Sequence, residues 1–120
     1  MLKNPEAAEF FSDLSAHSDL SSELFASLTK LGEFEQRGGA DQFAAPYFVT
    51  AGTVFCAGAG MSDTYWRLRP SDVAIAIATG AELAPIGADW VRIPLFRSSW
   101  PRPDLGHWAL RAYDFARTGK

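Results

Sequence analysis

The sequence predicts an α+β domain, and three observations carry that expectation. Two short segments near the N-terminus repeat apolar residues at helical spacing, the middle of the chain alternates aromatic and β-branched runs with glycine, and an alanine-rich apolar stripe lies near the C-terminus. The expected architecture is an antiparallel or mixed sheet of four to five strands with two N-terminal helices, one short middle helix and a C-terminal helix. At 120 residues, 48% hydrophobic and 21% charged, the chain has the length and composition of one self-sufficient domain spanning residues 1–120.

The first helix opens at Asn4-Pro5-Glu6, where an N-cap residue, a proline suited to the first helical position and a favourable carboxylate follow one another. Ala7, Phe10, Phe11 and Leu14 form its stripe, which decays around His17. Ser18 or Asp19 then caps a second helix bearing Leu20, Leu24, Leu28 and Leu31, with Gly32 as its stop.

Strand-type segments follow at Tyr47–Val49, Thr53–Cys56 and Tyr65–Leu68, with Ala51-Gly52 and Ala57-Gly58-Ala59-Gly60 read as turns. The segment Ser71–Gly80 carries two patterns: Val73, Ile75 and Ile77 alternate like a strand, while Pro70-Ser71, the alanines and Gly80 favour a short helix. Ala81–Pro85 reads as a brief strand. Trp90–Phe96 reads as another, with Pro94 marking an edge or a strand end. A stiff connector from Ser98, containing Pro101 and Pro103, leads to a last helix with Leu105, Trp108, Ala109, Ala112, Phe115 and Ala116 on one face and Thr118-Gly119-Lys120 at its end.

Composition excludes several function classes. The formal charge is −3 and the basic residues form no stripe, so the phosphate neutralisation that dominates nucleic-acid affinity has no source. One cysteine, Cys56, cannot form an internal disulfide, and His17 and His107 lie far from it in sequence, so neither a metal site nor a cofactor is expected. There is no membrane-length apolar run and no export-type N-terminus, which points to a cytoplasmic protein that does not engage a membrane.

No catalytic constellation stands out. Ala57–Ser62 lacks the spacing of a phosphate loop, Cys56 reads as a packed core thiol, and no pair of carboxylates is localised. One cluster rises above this background. If Tyr65–Arg69 and Trp90–Leu95 are paired strands, Trp66, Leu68, Val91 and Ile93 face one way, and Tyr65, Arg67, Arg69, Trp90 and Arg92 the other. A face of that kind suits an aromatic or anionic small molecule or a protein partner. It is equally an ordinary outer sheet face whose arginines pair with nearby acids. An exposed edge at Trp90–Phe96 would invite homodimer pairing.

The order from Gly52 to Ala116 carries a family resemblance. A strand at Val54-Phe55, a strand at Thr64–Val73, an alanine-rich helix to Gly80, Ala81–Pro85, Trp90–Leu95 and a helix with Trp108–Tyr113 together resemble the small bacterial luciferase-domain proteins. The order is also similar to the YjbR and TfoX N-terminal group of small α+β domains. The resemblance implies a mixed sheet flanked by helices in a bacterial accessory protein. Members of the first family carry histidine around the strand corresponding to Thr53–Ala57, where this chain reads Phe55-Cys56-Ala57, so the resemblance implies the fold without the activity. The expected function is a non-enzymatic interaction or small-ligand-binding module. The alternative is a cofactor-independent enzyme acting on an aromatic or polyketide-like molecule.

Overall fold

The computed structural model describes residues 1–39, 43–95 and 103–119. Its elements run α1 (Pro5–Ser12), α2 (Ser18–Leu28), β1 (Glu35–Gly38), β2 (Pro46–Thr50), β3 (Thr53–Ala59), β4 (Asp63–Arg67), α3 (Pro70–Ala78), β5 (Glu82–Leu83), β6 (Trp90–Pro94) and α4 (Leu105–Thr118). The fold is α+β: the strands form one antiparallel sheet in the order β1-β2-β3-β4-β6-β5.

Cross-strand partners assign the faces. Tyr47, Ala57, Tyr65 and Arg92 lie in one register row, and Phe11 of α1 packs its ring against Tyr47, Tyr65 and Trp90, so α1 covers that face. The opposite face, with Phe48, Cys56, Trp66 and Val91 in its row, is covered by α2, α3 and α4. Thr64 lies next to that row: its hydroxyl accepts from Trp66 Nε1 at 2.9 Å and donates to Ile93 O at 2.7 Å, so the buried indole N–H is satisfied.

Six strands replace the expected four to five. The additional one is β1, whose four residues are all exposed and show no apolar alternation, so pairing with β2 rather than burial makes it a strand. Such a short, charged strand suits the edge of a sheet. The middle segment is the helix α3, with Val73 and Ala76 buried. The expected hairpin is present: Thr50 pairs with Thr53 across Ala51 and Gly52, whose φ values of 51° and 76° match the strand twist.

Three local expectations are corrected. Ala57-Gly58-Ala59 is not a turn but the second half of β3. A Cβ on Gly58 would stand 3.1 Å from Leu24 Cδ2, so these small residues let α2 lie close against the sheet. Helix α2 ends at Leu28 rather than at Gly32, and its N-cap is His17, whose Nδ1 accepts the Asp19 N–H at 3.1 Å. Asn4 precedes α1 but makes no side-chain cap bond. Its Nδ2 donates to Val54 O at 2.9 Å, and its Oδ1 accepts the Val54 N–H at 2.8 Å. Val54 lies beyond the β3–β4 ladder, which begins at Cys56, and beside the bulge that leaves Phe55 without a partner in β2. A long-range need for two hydrogen bonds has therefore outweighed the local one.

Trp90–Phe96 is not an edge strand either. β6 lies between β4 and β5, and it ends at Pro94. Phe96, Trp100 and most of the proline connector lie outside the described residues. Among the described residues no helix is long and apolar enough to cross a membrane.

Candidate functional site

β4 and β6 pair as the alternation required, with Tyr65 opposite Arg92 and Arg67 opposite Trp90. The five residues nevertheless do not form an open face. Tyr65 and Trp90 are buried beneath Phe10 and Phe11 of α1. Arg92 extends beside Tyr65 and donates from Nη2 to Glu82 Oε1 at 2.8 Å, a bond that raises the pKa of the guanidinium. Burial, reinforced by the charge of Asp63, pushes the Tyr65 phenol up against the opposing influence of Arg92.

Arg67 and Arg69 turn towards α4. The Arg67 guanidinium lies 4.3 Å from the centre of the Phe115 ring while its Nε pairs with Asp89 at 2.9 Å. Arg69 has left the strand and occupies the N-cap position of α3; it lies 5.2 Å from the same ring and pairs with Asp114 at 3.0 Å. Each of the three arginines thus has an acid partner within the chain. The cover comes from α1 and the acids from β5, the residue before β6 and α4, none of which periodicity along a single strand encodes.

The tryptophans are dispersed as well. Trp66 and Trp90 are buried on opposite faces of the sheet, and Trp108 belongs to α4.

What the structure does gather is a cleft of about 680 Å³ between the C-terminal end of α3 and the N-terminal end of α4. Its walls are largely apolar: Ile75, Ala78 and Ala81 on one side, Ile93 of β6 and Trp108 on the other. Polar groups enter from Thr79, Asp104 and His107. Asp104 is the N-cap of α4, and its Oδ1 accepts the His107 N–H at 3.2 Å. The His107 ring meets Trp108 edge-on at 4.7 Å between centres.

Of these residues, the sequence marks only His107 as a group with chemistry to offer, and nothing local brings it together with Ile75, Ile93 and Trp108. A signal for Ile75 was present. The buried side of α3 needs only Val73 and Ala76 as apolar residues, which leaves Ile75 53% exposed and Ile77 40% exposed.

Cys56 is remote from the cleft, fully buried in the sheet row beside Trp66, and burial pushes its thiol well above the ordinary range. It is a core residue, and a thiol reagent such as DTNB should modify it only as fast as the fold opens, yet at once in denaturant. Above roughly pH 8.5 the unfolded thiol ionises while the buried one keeps its proton, so the unfolded state binds fewer protons and stability falls as pH rises, by up to about 1.4 kcal/mol per unit. Denaturant titrations at several alkaline pH values should show this fall in the native sequence and a shallower one in Cys56→Ala.

The fold and cleft therefore define the protein's class as a single-sheet α+β domain with a ligand-sized, mainly apolar cleft at one end of α3. A scan against protein-family models and searches of curated proteins and of solved structures find no match to this chain.

Proposed function

We propose that this domain is a non-enzymatic small-ligand-binding module whose site is the cleft between α3 and α4. The observation that carries the reading is the cleft itself. Its volume of about 680 Å³ falls within the roughly 300–1,000 Å³ typical of ligand sites, and mainly apolar walls with a few polar groups are their usual composition. A kinship with luciferase-domain proteins belongs to the same proposal, supported by the order β3, β4, α3, β5, β6, α4.

The test is a fragment screen by NMR with backbone amides assigned. Binders should shift the amides of Ile75, Ala81, His107 and Trp108. Ala78 is exposed and lines the cleft, so Ala78→Trp should fill it without disturbing the core. That variant should weaken binding by about tenfold or more, roughly 1.4 kcal/mol, with an unchanged melting temperature. Fragments that bind it as well as the native chain would overturn the reading.

A second reading, a cofactor-independent enzyme on an aromatic or polyketide-like molecule, rests on Asp104 and His107 sharing the cleft. Turnover of a bound compound, lost in His107→Ala, would favour it.

A further inference from the structure

We infer that the cleft selects a ligand with a protonated amine on an apolar, one- or two-ring body. The inference rests on the reading of the cleft as the binding site and adds the chemistry of what enters it. Asp104 contributes a carboxylate to a mainly apolar wall. Its Oδ1 holds the His107 N–H, and among the described residues it has no ion-pair partner. The acid nearest in the same helix pair behaves differently: Asp72 of α3 faces Arg111 of α4 at 3.7 Å, which also engages the cation that stands two turns from Asp104.

The Asp104 carboxylate offsets the partial positive charge of the α4 N-terminus that it caps, and the opposite wall adds negative potential. Ala78, Thr79 and Gly80 form the C-terminal end of α3, where helix carbonyls concentrate partial negative charge. No Lys or Arg is among the described lining residues. Trp108, 7% exposed, borders the cleft with its indole, a ring type to which a cation is attracted. An ammonium group therefore meets a carboxylate, a helix C-terminus and an indole, while Ile75, Ile93 and Ala81 accept the apolar body.

Three matched probes test this: tryptamine, 3-ethylindole and indole-3-propionate, titrated by NMR into the native chain, Asp104→Asn and Ala78→Trp. Tryptamine should bind tightest, by about fivefold to tenfold over the neutral analogue, as a charge-assisted contact at a partly exposed site allows. Asn is as good an N-cap as Asp, so Asp104→Asn keeps the start of α4 while removing the charge. It should bring tryptamine to within about twofold of 3-ethylindole and leave 3-ethylindole unchanged, since only the charge–charge contribution is lost. If 3-ethylindole or indole-3-propionate binds the native cleft as well as tryptamine, the amine inference falls and the cleft reading stands. If the tryptamine advantage persists in Asp104→Asn, the inference also falls. If Ala78→Trp leaves all three affinities unchanged, the cleft reading itself falls.

Discussion

Phe11→Ala should destabilise the fold by about 3–5 kcal/mol, the range for removing a fully buried aromatic ring. Phe11 has no exposed surface, and its ring meets Phe10, Tyr65 and Trp90 edge-on at 5.2 to 5.6 Å and stacks on Tyr47 at 6.5 Å. α1 has only eight residues, too few to persist as a helix without tertiary packing. The substitution should therefore loosen α1 as a unit. Urea unfolding gives the free energy, and hydrogen exchange gives the location: α1 amides should lose protection before those of β3. Trp90 emission should shift to longer wavelength as its cover leaves. A loss below about 1 kcal/mol would show that Tyr65 and Trp90 are held by other groups, since fully buried rings do not come out that cheaply.

Asn4→Ala should cost about 2–4 kcal/mol although it deletes only a small amide. It leaves the N–H and C=O of Val54 without their partners at 2.8 and 2.9 Å, in a buried position where each unmet group costs about 1–3 kcal/mol. Asn4→Asp separates this from capping. As an N-cap, aspartate equals asparagine and would restore stability. As a partner for Val54 it fails, because a carboxylate oxygen would face the Val54 carbonyl where the amide N–H now donates. Aspartate is therefore expected to be no better than alanine at neutral pH. Denaturation midpoints of the two variants, with exchange at the Val54 amide, decide between the roles.

The candidate site was less legible than the fold. Its residues come from α3, β6 and the start of α4, and they meet only through the packing of the three elements. The five-residue face was correctly paired, because strand alternation and the Tyr65–Arg92 register follow from the side-chain period of two. It failed as an open surface because period two says which residues share a face and nothing about what covers it. The acids that engage its arginines, Glu82, Asp89 and Asp114, are distant in sequence from at least one arginine each.

By itself the sequence determined the elements whose signals are local. Apolar spacing and a proline at the first helical position set α1, Pro70-Ser71, the alanines and Gly80 set α3 against its strand-like alternation, Ala51-Gly52 set the hairpin, and Gly119, in the left-handed region, ends α4. The α+β class followed from their order. Tertiary structure decided what depends on contacts between distant residues. It put α1 on the face of the sheet that carries Tyr65 and Trp90, extended β3 through Gly58 beneath Leu24, recruited exposed β1 by pairing, turned Asn4 from a cap into a partner for Val54, and opened the cleft between α3 and α4. The reason is physical: a local pattern records which side of an element avoids water, whereas the identity of its cover is settled only when every apolar side and every buried hydrogen-bonding group is satisfied together.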